Sequence, residues 1–526
     1  MTDFLPTVPE QRDFSNPLLE LREKKVAKWV DALPLHEVPD AIEVLLHALT
    51  PLNLEPLNDK TRVRLLELYY RPVVTLHQDR TLLDRQTKDL PPAQQSEIKE
   101  RMAELLWQFA AGYKIVVRNG AEQERSPVRD TLLLLGLYRA IEIQGLVLHN
   151  AYRHYAAIPP HAYRELHQLF EFAAQHDVVA ARVPLDKKHS AENNLQTLYK
   201  RALLLAAADP FRLPLGEVDN LRELLAQFAD HSELSRPPWA HASGKFLVGG
   251  NADRSPTPCS REQRLAASKT AWILDTNPLQ IAVQEHLRSL GETERASKEF
   301  DMLRRILPDL KAPPKRRSPR RQSEKELRVT VGLGATHYFL SSAGTTRLQQ
   351  IMENAAYGIE VFDAETESQI SYLMEPWKVV NESPKGYLLA RRHALDESLQ
   401  VGEALGLFAL QSTPAQQATE IGVIRWIKRS DKHWTHMGVE VLPGRPDAVH
   451  CEPANPDEFP FEEPRALFLN RIAKMPVPPT LLGRGGLYRK ECDITLKREN
   501  HQGRARIGSL IMETNHLIRV TLKPSR

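Results

Sequence analysis

Two hydrophobic rhythms divide this chain. From about Leu18 to Leu310, apolar residues recur at helical spacing. Asp40–Leu49 carries such a stripe behind a candidate Asp cap, and Asn58 is placed to cap a helix through Leu65, Leu66, Leu68 and Tyr69 that Pro72 should interrupt. Pro91 and Pro92 precede a helix through Met102, Leu105, Leu106, Phe109 and Tyr113. Further helices are expected near 128–155, 161–176, 191–208, 217–230, 260–290 and 293–306. The most apolar run, Leu132–Leu148, includes Arg139, Glu142 and Gln144, which points to a buried core helix and not a membrane span. Gly244–Asp253 breaks the rhythm and reads as a strand or hairpin. Its Gly249-Gly250 pair lacks the Lys-Ser/Thr of a phosphate-binding loop, so a plain turn is expected there.

Lys311–Glu326 is rich in Pro, Lys and Arg and poor in apolar residues, as an interdomain linker would be. Beyond it the period becomes two. Leu327–Val331, Trp377–Val380, Tyr387–Leu389, Ala404–Leu410, Ile421–Ile427 and Met437–Leu442 are strand candidates, and short strands between turn signals suggest a small antiparallel barrel. A longer passage, 341–371, interrupts them and is expected to hold a helix over Thr346–Ala356. After a break at Cys451–Pro460 come Leu467–Leu469, Leu487–Tyr488, Asp493–Leu496, Ala505–Ile511 and Leu517–Leu522. The expected architecture is α+β and multidomain: an α-helical domain over 1–310, a basic linker over 311–326, a β-barrel over 327–450 with its insertion, and a smaller C-terminal β extension over 460–526.

Composition narrows the function. The 526 residues include 70 Lys+Arg against 67 Asp+Glu, so any basic function must be local. Cys259, Cys451 and Cys492 are far apart and form no CxxC or zinc pattern, which suits reduced thiols in the cytoplasm. The N-terminal residues show no signal-peptide pattern. His433 and His436 stand at HxxH spacing, but without convincing further ligands they read as a hairpin pair, so no metal is expected. No nucleophile, acid/base or nucleotide-hydrolysing signature is present, which argues against an enzyme. Trp377 and Trp426 alternate with apolar neighbours and are expected in the barrel core.

The candidate chemistry lies in two segments. One is Lys315-Arg-Arg-Ser-Pro-Arg-Arg321, whose guanidinium groups can fork onto phosphate oxygens or stack on a purine. The other is Asn381-Glu-Ser-Pro-Lys-Gly386, a polar turn. Asn381 offers donors and an acceptor, Ser383 offers a hydroxyl, and Gly386 permits a positive φ or a close backbone approach. Alone, each also fits a solvated linker or a self-capped hairpin.

Together these segments resemble the PilZ domain, the bacterial receptor module for cyclic di-GMP, over residues 315–445. The family pattern is RxxxR before the first strand, then [D/N]xSxxG. The first fits Arg316 with Arg320 or Arg317 with Arg321, the latter leaving a short spacer before the strand; the second fits Asn381, Ser383 and Gly386. The gap of about 60 residues between the two motifs is longer than usual for the family and is attributed to the insertion. The resemblance implies a PilZ-like antiparallel six-stranded barrel, arginines that clasp phosphates and stack on guanine, and Asn381 and Ser383 in contact with base and phosphate. It implies a non-enzymatic cytoplasmic effector in control of motility, adhesion, pili or exopolysaccharide. The helical region matches no family pattern and is expected to bind a protein partner, which stays unidentified. The sequence sets no oligomeric state. Two other readings stay open: a degenerate PilZ scaffold that binds protein without nucleotide, and a nucleic-acid-binding regulator, against which the near-neutral charge weighs.

Overall fold

The computed structural model describes residues 6–12, 19–79, 90–183, 194–236, 243–249, 252–259, 270–292, 294–311, 319–341, 372–392, 399–409, 419–430, 434–453, 464–470, 478–485, 491–498 and 501–525. The chain divides into two compact units, Met1–Pro210 with Gly216–Lys315, and Phe211–Leu215 with Arg316–Arg526.

The first unit is built mainly of helices: α1 (Glu23–Asp31), α2 (Val38–Leu54), α3 (Asp59–Gln78), α4 (Pro92–Glu122), α5 (Thr131–Arg153), α6 (Ala162–Gln175), α7 (Leu195–Ala207), α8 (Glu217–Phe228), α9 (Asn277–Ser289) and α10 (Lys298–Lys311). Asn58 does cap α3, its side chain accepting from the Thr61 amide at 2.9 Å. Pro72 does not end that helix, which runs on to Gln78. Val63, Leu66 and Tyr69 before the proline and Val73 and Leu76 after it are all buried, and this continuous apolar face outweighs one lost backbone bond. Asp40 is not a cap. Helix α2 starts at Val38, which leaves Asp40 in the first turn, where its charge favours the helix N-terminus. Helix α5, at 23 residues, is long and apolar enough by length and composition to cross a membrane, yet most of it is buried inside the unit as a core helix.

A four-stranded antiparallel sheet accompanies these helices, in the order β1 (Glu233–Ser235), β4 (Ala271–Asp275), β2 (Lys245–Gly249), β3 (Thr257–Pro258). Strand β2 matches the segment read as a strand. The helix expected over 260–290 is instead β4 followed by α9; residues 260–269 lie outside the described set. Ala271-Trp-Ile-Leu-Asp275 is a short apolar run, and such a run fits a buried strand as well as a helix. Pro278 at the start of α9 sets the boundary.

The second unit holds two closed antiparallel barrels. The first uses β6 (Glu326–Val331), β7 (Glu375–Ser383), β8 (Gly386–Arg392), β9 (Ala404–Ala409), β10 (Thr419–Arg429) and β11 (Trp434–Leu442), with β5 (Arg321–Gln322) continuing the pairing along β7. Each expected strand of this barrel is present. Helix α11 (Leu333–Leu340) follows β6 and was not legible, since it is only 8 residues long and contains Gly334. The expected Thr346–Ala356 helix lies outside the described residues.

The second barrel uses β12 (Arg445–Pro453), β13 (Arg465–Asn470), β14 (Thr480–Gly483), β15 (Asp493–Arg498), β16 (His501–Glu513) and β17 (Ile518–Pro524). Residues 445–450, expected with the first barrel, thus belong to the first strand of the second, where β12 pairs with β13 and β15. The strand read at Leu487–Tyr488 lies outside the described residues; β14 supplies the third strand. Both barrels have one connectivity. With strands counted in chain order, the first lies between the second and fourth and the sixth between the third and fifth. The barrels share a core of Leu333, Ala404, Ile421, Val423, Leu442, Leu467, Leu469, Leu482 and Leu517. Thr514 donates to the Gly402 carbonyl at 2.9 Å and Arg519 to the Pro443 carbonyl at 2.9 Å, tying one barrel to the other.

Candidate ligand site on the first barrel

Strand β7 carries the polar turn, and its inward residues fix it. Trp377 and Val379 are buried in the barrel, so the following residues emerge at the rim. A register shift between Val379 and Asn381 in the pairing with β8 marks a bulge there. Asn381, Glu382 and Ser383 follow, all partly exposed. Among the described residues the Asn381 side chain makes no hydrogen bond. Ser383 donates to the Gly386 carbonyl at 3.3 Å across the two-residue turn, a long bond that a ligand can replace.

Gly386 serves by close approach. It pairs with Glu440 on β11, and a β-carbon there would collide with the Val439 carbonyl oxygen and stand 3.1 Å from its carbon. It is not among the glycines of positive φ. The glycine therefore lets β8 lie against β11, which holds the turn at the barrel edge.

Arg321, the last residue of the arginine segment, comes to the same place. Strand β5 pairs with β7 so that Arg321 stands opposite Glu382 and Gln322 opposite Asn381. The insertion separates these residues along the chain but not in the sheet. Arg320 and Arg321 are exposed. Arg316 and Arg317 lie outside the described residues.

Three residues that the sequence motifs did not single out stand beside this pairing. Lys325 forms an ion pair with Glu382 and lies 5.3 Å from the centroid of the Tyr387 ring. Tyr387 donates to Glu420 at 2.7 Å, and burial, then that carboxylate, pushes its phenol well above the usual range. Lys325 falls four residues after Arg321, continuing the basic spacing; Tyr387 follows the motif glycine directly. Glu382 stands at the register position opposite Arg321, and its carboxylate is held by Lys325.

Trp377 is core, as expected. Trp426 is only partly buried and lies across Gly438, where a β-carbon would strike its indole, so it belongs to the barrel surface and not to its interior. A bulge between Ile424 and Trp426 turns it outward. Of the HxxH pair, His433 lies outside the described residues, and His436 has its pKa lowered by burial and by Lys428. Among the described residues no group of three or more His, Cys, Asp or Glu is arranged to hold a metal ion.

The second barrel ends its own β13 at Asn470 and has no Asn-x-Ser-x-x-Gly turn between β13 and β14.

Residues 24–238 match the family described as the N-terminal domain of the cyclic-di-GMP receptor FimW, which accounts for helices that by sequence reading had no family. Residues 245–369 and 345–449 match its middle PilZ domain. That match starts well before the resemblance read at 315–445, and the PilZ domain is a middle domain with another barrel after it. The cyclic-di-GMP receptor FimW of Pseudomonas aeruginosa is 26% identical over 540 aligned residues, covering 91% of this chain and 86% of that protein. The chain is a PilZ-domain protein whose helical and middle domains match those of FimW.

Proposed function

We propose that this chain is a cyclic di-GMP-binding effector that recognises its ligand at the rim of the first barrel. The observation that carries the proposal is the β5–β7 register, which sets Arg321 beside the turn of Asn381, Ser383 and Gly386. Arg317 and Arg321 clasp the phosphates and stack on guanine, and Asn381 and Ser383 contact base and phosphate. The Arg316/Arg320 frame is the alternative, and Arg320 is exposed beside Arg321. A hydrogen bond to a charged group contributes roughly 1.5–3 kcal/mol and a cation–π stack roughly 0.5–2 kcal/mol. Two or three such contacts reach about 8 kcal/mol, the scale of a micromolar complex, before ordering is subtracted.

The role is binding, not catalysis. Ligand orders the basic linker, and the helical unit reads that change through a protein partner, with motility, adhesion, pili or exopolysaccharide as output. The free cysteines suit the cytoplasm. A FimW relative named as a cyclic-di-GMP receptor supports the choice of ligand.

Calorimetric titration of the full chain with cyclic di-GMP, with GTP and cyclic di-AMP as controls, tests the reading. Saturable heat specific to cyclic di-GMP, lost in Arg321→Ala and Ser383→Ala, is expected. No heat at high protein concentration would instead indicate a degenerate barrel that works as a protein-binding scaffold.

A further inference from the structure

A second polar pocket lies in the helical unit, away from the barrel motifs. It has a volume of about 440 Å³, within the usual range for small-molecule sites, and is walled by the end of α3, by α5, by α7 and by α8. Three arginines line it: Arg153, Arg201 and Arg222.

Three carboxylates, Glu142, Asp219 and Glu223, line it as well, so what matters is which of these groups are already paired. Arg153 is committed: it donates to Asp219 Oδ1 from Nε at 3.0 Å and from Nη2 at 2.5 Å, and to the His77 carbonyl at 2.6 Å. Asp219 also lies 3.0 Å from His149 Nε2, whose Nδ1 is 3.0 Å from His77 Nε2. This buried chain fixes one wall. Glu142 is committed as well, accepting from Tyr70 at 3.0 Å and from Arg139 at 2.8 Å. Glu223 is exposed at the rim.

Arg201 and Arg222 are left over. Among the described residues Arg201 makes one long bond, 3.4 Å to the Ala226 carbonyl, and its buried Nε has no partner. Among the described residues Arg222 makes no hydrogen bond and no ion pair. Its pKa is lowered by burial first and then by Arg153, with Arg201 adding to the repulsion, although Asp219 and Glu142 oppose this. Asp230 and Glu142 act on Arg201 only at a distance, so two partly buried guanidinium groups with no carboxylate in direct contact line one cavity and can accept an oxyanion. Such forks match phosphate oxygens.

We propose that this pocket binds a small phosphate monoester, gripped by Arg201 and Arg222. Gln78 and Asn220 also line the pocket and can hydrogen-bond the rest of a mononucleotide-sized ligand. The site makes the helical unit a receptor in its own right.

Thermal unfolding of the full chain tests this, with inorganic phosphate and adenosine 5′-monophosphate as probes and sodium chloride at matched ionic strength as control. At tenfold excess over the dissociation constant, both probes should raise the midpoint by about 2–4 °C over chloride. Arg201→Met and Arg222→Met should abolish the rise, whereas Arg321→Ala and Ser383→Ala on the barrel should keep it. Arg222→Lys retains the charge without the fork and guards against a folding defect; it should weaken the apparent affinity at least fivefold. An equal rise in chloride, or a rise that survives both methionine variants, overturns the proposal. A response to phosphate but not to the monophosphate overturns the ligand class.

Discussion

Gly386→Ala separates the structural role of the motif glycine from contact with ligand. Its new β-carbon would meet the Val439 carbonyl, with the carbonyl carbon at 3.1 Å and Glu440 Cα at 3.3 Å. Ordinary carbon contacts lie near 3.5–4.0 Å, and the obstacles are backbone atoms of β11, so no side chain can swing aside. Strand β8 must retreat. That movement loosens the Gly386–Glu440 pairing and the 3.0 Å bond from the Val441 amide to the Lys385 carbonyl. Overpacking costs about 1–3 kcal/mol and each lost bond about 1 kcal/mol, giving a loss of about 2–4 kcal/mol. Gly503→Ala in β16 is the control, because a β-carbon there meets nothing within 4 Å; it should stay within about 0.5 kcal/mol of the parent. Urea unfolding of both variants, with peptide-level hydrogen exchange over residues 375–392 to isolate the first barrel, measures the difference. If Gly386→Ala matches Gly503→Ala in stability and exchange, the close-approach explanation is wrong.

Other consequences follow from the same geometry. Lys114 and Glu165 form a fully buried pair at 2.6 Å, so Lys114→Met should lose about 3–5 kcal/mol and the double variant with Glu165→Leu markedly less than the two single losses combined, read from a thermal double-mutant cycle. Burial holds His149 and His167 at about 4, below the ordinary 6.5. Between those values the unfolded chain binds more protons than the native one, so stability should fall as pH drops from about 6.5 to 4, by up to roughly 1.4 kcal/mol per unit for each histidine. Denaturant midpoints across that range should show a shallower slope in His167→Asn. Under the proposed ligand site, Glu382→Gln removes a carboxylate opposite Arg321 and should tighten cyclic di-GMP binding about two- to fivefold in calorimetry, equivalent to about 0.5–1 kcal/mol. Unchanged or weaker binding would show that Glu382 does not compete for the arginine.

The strands of the first barrel were legible because each has a buried face: in β7, Trp377 and Val379 alternate with exposed Pro376 and Lys378. The end of that barrel was not, since Arg445–Pro453 continues the same alternation directly from Leu442 through a two-residue turn, and only pairing partners reveal that it opens another barrel. Strand β4 was misread because five apolar-rich residues fit either period. At the candidate site, the residue types of both motifs were readable, but their adjacency was not. Arg321 and Glu382 meet through strand register across a long insertion, and register is not written in spacing. The helical pocket had no motif at all. Arg153, Arg201 and Arg222 come from three different helices, so their convergence depends on tertiary packing.

The central claim is that the arginine strand and the β7–β8 turn form one ligand site. Hydrogen–deuterium exchange of the full chain with and without saturating cyclic di-GMP tests it most directly. Ligand should slow exchange together in peptides covering residues 312–325 and 380–388. Protection confined to one of these segments, or absent from both while ligand is bound, would contradict the claim.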